Sequence, residues 1–118
     1  MGLGLIVHEK EGEIPIFKIG DLQGIVKVYL SLETGKWNYV NASITGKLRQ
    51  KNDEGEEYSI EISRKDLSIE IRDQDSLAKI KEEVDEAIET MKEALRELEN
   101  KIIKGKEFID SYILSIAT

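Results

Sequence analysis

Trp37 and Tyr39 stand two residues apart, Tyr29 lies ten residues upstream, and Lys27, Lys36, Lys47, Arg49 and Lys51 are spread around them. Indole and phenol rings offer faces on which bases stack, and Lys and Arg attract phosphate. Together those contacts hold a single strand without reading its sequence. Arg64 and Lys65 extend the same cationic track, and Asn41, Ser43 and Thr45 can hydrogen-bond base edges or sugar. The same residues also have a purely structural use. Aromatic and β-branched side chains favour strands, exposed cross-strand pairs stabilise sheets, and Glu61 and Glu70 can pair with Lys47, Arg49 or Arg72. Both uses remain open at the level of sequence.

Other chemistries find little support. The chain has no cysteine and a single histidine, His8. That excludes disulfides, zinc–thiolate and His-cluster sites, and leaves no Ser–His or Cys–His nucleophile. Glu9, Glu11 and Glu13 alternate without the ligand spacing of a calcium loop. Asp73 and Asp75 suit helix capping better than acid–base work, and neither Gly2-Leu3-Gly4 nor Gly20 to Gly24 opens a phosphate-binding helix. The expectation is a protein that is not an enzyme and carries neither metal nor cofactor.

With 118 residues, 40% hydrophobic and 35% charged, the chain has the size of one domain. Its parts are a sheet region over 1–72 and a helical region over 73–118. The net charge of −7 argues against coating duplex DNA. The acidity is uneven: residues 1–72 hold ten Lys/Arg against twelve Asp/Glu, and residues 73–104 hold six against ten. The sheet region can therefore still present a locally basic face. No apolar run is long enough for a membrane span, the start lacks a signal-peptide pattern, and Met1-Gly2 is followed by Ile6 where myristoylation wants Ser or Thr. A cytoplasmic protein without membrane contact is expected. Seventeen isoleucines, abundant Glu and Lys, one Pro and no Cys match a thermophile's bias.

The elements follow from periodicity. Leu3-Gly4-Leu5-Ile6-Val7-His8 reads as a short strand or arm, Glu9 to Glu13 as a polar turn, and Ile14 to Ile19 as an extended segment that Pro15 confines to a sheet edge or loop. Val26, Val28, Leu30 and Leu32 alternate with Lys27, Tyr29, Ser31 and Glu33, the period of a half-buried strand. Glu33 to Lys36 predicts a hairpin turn with Gly35 at positive φ. A strand from Trp37 to about Lys51 follows, with Gly46 marking a bulge that would exchange its faces. Asn52 to Gly55 is a turn, Tyr58 to Ser63 a strand, Ser63 to Asp66 a tight connection, and Leu67 to Arg72 a further strand. The fold expected is α+β: a four- to five-stranded antiparallel meander with a long C-terminal helix on its apolar face.

Asp73 to Ser76 carries helix-capping chemistry. Ile88, Leu95, Ile102, Ile109 and Ile116 repeat every seven residues, interleaved by Leu77, Val84, Met91, Leu98, Gly105 and Tyr112. That is a coiled-coil seam. From Asp75 to Lys104 a helix spans roughly 45 Å, against roughly 30 Å for a nine-residue strand. The overhang needs a partner, and a second copy supplies it through Ile88, Met91, Leu95, Leu98 and Ile102. Gly105 leaves two continuations open: the helix runs on, or the chain folds back over 106–117.

Val26-Lys27-Val28-Tyr29-Leu30, Gly35-Lys36-Trp37-Asn38-Tyr39-Val40 and the zipper-like helix together resemble archaeal ThermoDBP-type single-stranded-DNA-binding proteins, and are similar to the single-stranded-DNA-binding transcriptional coactivators. The likeness spans roughly residues 24 to 104 and is architectural. It implies a homodimer that binds single-stranded DNA or RNA on the open sheet face, through Lys27, Tyr29, Lys36, Trp37, Tyr39, Lys47, Arg49, Lys51 and Arg64. The alternative is a protein–protein interaction module that dimerises and docks through its helix.

Overall fold

The computed structural model describes residues 4–117. Met1, Gly2, Leu3 and Thr118 lie outside the described residues, and with them the Met1-Gly2 start, most of Gly2-Leu3-Gly4 and the first residue of the expected arm. Five elements follow in chain order: β1 Leu5–Ile19, β2 Leu22–Thr34, β3 Tyr39–Lys51, β4 Glu57–Glu70 and α1 Gln74–Ala117. The strands lie in the order β1-β2-β3-β4, each antiparallel to its sequence neighbour. The class is α+β, and α1 covers one face of an open four-stranded sheet.

Period-2 alternation decides which side faces the helix. Val26 and Ile44 are fully buried, and Ala42 joins them from β3. Ile80, Val84, Ala87, Met91 and Leu95 of α1 close the core from above, with Leu95 only 1% exposed. Each fully buried aliphatic side chain of this kind contributes about 1.5–3 kcal/mol. The helix lies mainly over β3. Phe17 reaches the core across Gly24, its register partner, and the ring lies flat enough that a Cβ on Gly24 would sit 2.2 Å from it.

The turns are chemically explicit. Ile19 pairs with Leu22 across Gly20-Asp21, and Gly20 has φ 58°, as a type II′ hairpin wants in its first central position. Asn52 organises the β3–β4 turn: its Oδ1 accepts from the amides of Glu54 at 3.0 Å and Glu56 at 2.8 Å, and Gly55 takes φ 85°. Asp73 caps α1, its carboxylate accepting from the Ser76 amide at 2.9 Å. That bond, with a second from the Ser76 hydroxyl, holds the Asp73 carboxyl below its ordinary value.

Several expectations are corrected. Leu5 to Ile19 is one strand, and Glu9 to Glu13 lie inside it rather than in a turn. Ser63 to Asp66 likewise continue β4, so the connection expected there does not exist. The backbone of both segments is taken up by pairing with β2 and β3, which outweighs their polar composition. Gly35 does not adopt positive φ, because the β2–β3 loop is longer than a tight hairpin and Trp37 belongs to it. The bulge near Gly46 places its extra residue, Ile62, on β4; β3 keeps its parity throughout. Gly105 does not break the helix, which runs 44 residues to Ala117.

Candidate functional site

Register places Lys27, Tyr29, Tyr39, Lys47, Arg49, Lys51 and Arg64 on the face away from α1, while Lys36 and Trp37 lie in the β2–β3 loop. Lys27 sits between Glu13 and Thr45, with Arg64 beyond; Tyr29 sits between Glu11 and Ser43, with Asp66 beyond. Lys47 pairs with Ile25 and Glu61, and Arg49 with Gln23 and Ser59. Arg64, expected in a turn, is thus a strand residue on this face. Ser63 pairs with Gly46 and faces the helix side with Lys65.

The carboxylates of β1 answer the cations of β2 and β3. Glu11 forms an ion pair with Lys27, Glu13 with Arg49, and Glu9 accepts the Tyr29 hydroxyl at 2.7 Å. The Tyr29 phenol is held above its ordinary pKa, first because its hydrogen bond to Glu9 requires the proton. Arg49 also reaches Glu57 at 3.4 Å. Arg64 is shared by Asp66 at 3.1 Å and Glu61 at 3.6 Å, which raises its pKa. Asp66 is lowered, first by a hydrogen bond from Ser43 and then by Arg64. Lys47 and Lys51 take part in no ion pair among the described residues. Glu11, Lys27, Tyr29, Ser43, Thr45, Lys47, Glu61 and Arg64 surround a shallow depression of about 250 Å³.

The three aromatics do not form one track. Trp37 is 56% exposed in the β2–β3 loop, with the Lys36 ammonium 5.7 Å from its ring centre. Tyr39 is half-buried at the start of β3 and pairs with Glu33. Tyr29 lies four residues further along β2, roughly 13 Å away at about 3.3 Å per residue.

A second surface is more sharply defined. Thirteen-residue strands such as β2 and β3 cover roughly 43 Å, and the 44-residue helix covers roughly 66 Å. The molecule's longest dimension is 72 Å. Of the residues expected to dimerise, Met91 and Leu95 are buried against the chain's own sheet, and Ile88, Leu98 and Ile102 are half-buried. From Ile103 to Ala117 every residue is exposed. Phe108 is 72% exposed, and Ile109, Tyr112, Ile113 and Ile116 are each more than half exposed. The signal that could have located this surface is the length mismatch itself, carried to the end of the seven-residue repeat.

Comparison with family models, with curated proteins and with solved structures gives no match. No helix among the described residues is long and apolar enough to cross a membrane.

Proposed function

We propose that this chain is a cytoplasmic, non-catalytic protein-interaction module that self-associates and docks through the projecting end of α1. The observation that carries this reading is the helix beyond Ile102, where every described residue is exposed and Phe108, Ile109, Tyr112, Ile113 and Ile116 are each more than half exposed. An exposed apolar stripe of this kind marks an interaction surface. Sedimentation equilibrium tests it: the parent should show a mass that rises with concentration toward twice the monomer, and Ile109→Glu should stay monomeric. A parent that remains monomeric at high concentration refutes it.

A second reading, binding of single-stranded DNA or RNA on the open face, draws support from exposed Trp37 with its neighbouring Lys36 and from Lys47 and Lys51, which form no ion pair among the described residues. It ranks second because Lys27, Arg49 and Arg64 already have carboxylate partners. A phosphate must displace those partners, and anionic Glu9, Glu11 and Glu13 line the same face. Trp37 fluorescence titrated with a single-stranded oligonucleotide at low and moderate salt tests it. Quenching that weakens as salt rises supports binding, and unchanged emission at micromolar protein removes it.

A further inference from the structure

The bare end of α1 is a direct continuation of its buried face. At about 100° per residue, Ile80, Val84, Ala87, Met91, Leu95 and Ile102 fall in one sector roughly 100° wide, and Gly105, Ile109, Tyr112 and Ile116 fall in that same sector. The stripe that packs on the sheet therefore runs straight off the sheet's end. Whatever covers it must occupy the layer in which the chain's own sheet lies.

That condition decides orientation if the partner is a second copy. A parallel partner helix, seated under the projecting end, would run back along its own length into the space already filled by β2 and β3. An antiparallel partner runs the other way, clear of the sheet, and the same holds in reverse for the partner's sheet. Spacing agrees. Gly105, Ile109, Tyr112 and Ile116 are separated by four, three and four residues, a sequence unchanged by reversal. A two-fold axis between positions 110 and 111 then sets Ile109 against Tyr112, Phe108 against Ile113 and Gly105 against Ile116. A Cβ on Gly105 would meet nothing within 4 Å in the single chain, so its missing side chain leaves a recess for an incoming Ile116.

We propose that two copies pair their projecting helix ends antiparallel in this register, through the stripe from Gly105 to Ile116. The inference rests on the self-association proposed above and adds its geometry. Burying Phe108, Ile109, Tyr112, Ile113 and Ile116 from both copies removes roughly 800 Å² of apolar surface, at roughly 80 Å² each. At the usual apolar share that is a total near 1,300 Å², the low end of specific interfaces. Area alone does not fix affinity, so association is read over a concentration series. Because each helix end continues the layer of the other's sheet, the two open faces point in opposite directions, at opposite ends of one rod. The dimer presents two copies of the face that carries Lys27, Tyr29 and Arg49, and those copies cannot engage one flat surface together.

The absence of cysteine makes the test direct. Gly105→Cys and Ile116→Cys chains are prepared separately and oxidised alone and as a mixture. The antiparallel register predicts cross-linked dimers chiefly from the mixture, each containing one of each variant. Efficient cross-linking of either variant with itself overturns the proposal. Spin labels on exposed Glu97 supply a readout that leaves the stripe intact: the two labels should lie roughly 40 Å apart along the rod, from 27 residues at about 1.5 Å each. A separation near one helix diameter means a parallel pair and overturns the geometry while leaving self-association standing. A sample monomeric by sedimentation overturns both.

Discussion

Leu95 and Ile109 occupy the same stripe of α1, two seven-residue repeats apart, and should respond to truncation in opposite assays. Leu95 is 1% exposed and packs over Gly46 with Met91. Leu95→Ala removes its side chain from a closed site and should cost about 3–5 kcal/mol of folding stability. For a chain of this length that is a fall in Tm of roughly 10–20 °C. Ile109 is 56% exposed, so Ile109→Ala should leave the isolated chain within about 0.5 kcal/mol of the parent. Helix propensity runs slightly in favour of the alanine, so it does not imitate a loss. In the proposed dimer the same change removes three carbons from each copy. At about 0.8 kcal/mol per buried carbon and half burial, the loss is about 1.2 kcal/mol per copy and about 2.4 per dimer, close to a 50-fold weaker association. Thermal unfolding by circular dichroism must be run at protein concentrations below the dissociation constant, because association itself raises Tm. Sedimentation equilibrium over a concentration series then reads the second effect. Should Ile109→Ala lower the dilute-state Tm as far as Leu95→Ala does, the projecting end packs on its own chain. Should it leave association unchanged, the stripe beyond Ile102 is not the interface.

Two glycines on the helix side should separate cleanly. Gly24→Ala drives a Cβ to 2.2 Å from the Phe17 ring and should destabilise by about 1–3 kcal/mol, with partial recovery in the double variant Gly24→Ala, Phe17→Leu; denaturant unfolding reads both. Gly46→Ala puts its Cβ 3.6 Å from the Met91 sulfur, an ordinary contact, and should be neutral or stabilise by up to about 1 kcal/mol. Tyr29 has a raised pKa in the folded chain, so its bond to Glu9 contributes fully below the ordinary tyrosine pKa and is lost as pH rises through the raised value; Glu9→Gln should bring the Tyr29 transition in a tyrosinate absorbance titration down toward its ordinary position. Asp73 has a lowered pKa, so its cap contributes above the ordinary carboxylate pKa and is lost as pH falls through the lowered value; Asp73→Ala should lower Tm at neutral pH and flatten the acid limb of a Tm–pH profile.

The central strands were legible because both of their faces carry a strict pattern. Val26, Val28, Leu30 against Lys27, Tyr29, Ser31 leaves one reading, and Ala42, Ile44 against Asn41, Ser43, Thr45 leaves another. The edge strands were legible only in part, over Ile14 to Ile19, Tyr58 to Ser63 and Leu67 to Glu70, and the reason is coverage. Lys10 and Gly12 of β1 lie on the helix side opposite Leu30 and Val28, and Lys65 of β4 lies there opposite Ile44, yet all three remain exposed at the sheet's margins. With no helix above them these positions need no apolar side chain, so the alternation that announces a strand is missing. On β4, Ile62, inserted at the bulge, shifts Ser63 to the helix side and brings Arg64 onto the open face. The cations of the open face were placed correctly on β2 and β3, but their partners were not, since a turn over Glu9 to Glu13 hides that these carboxylates stand in register with Tyr29 and Lys27.

The seven-residue repeat in α1 conflates two roles that only a length can separate. One stripe serves the whole helix, and nothing in its composition changes sharply between Leu95 and Ile109. What changes is whether a strand lies beneath. Strands gain more than twice as much length per residue as a helix, but an antiparallel meander folds that length back on itself at each turn, so no added strand lengthens the sheet. A helix that continues past the turns at Gly20 and Gly55 therefore leaves its own core behind, and the same kinds of side chain stand exposed. Adding or removing seven residues before Leu95 would shift the boundary without altering the stripe. In the proposed dimer, the number of helical turns beyond the sheet limits how much apolar surface can be buried, and the spacing of the stripe residues sets the register.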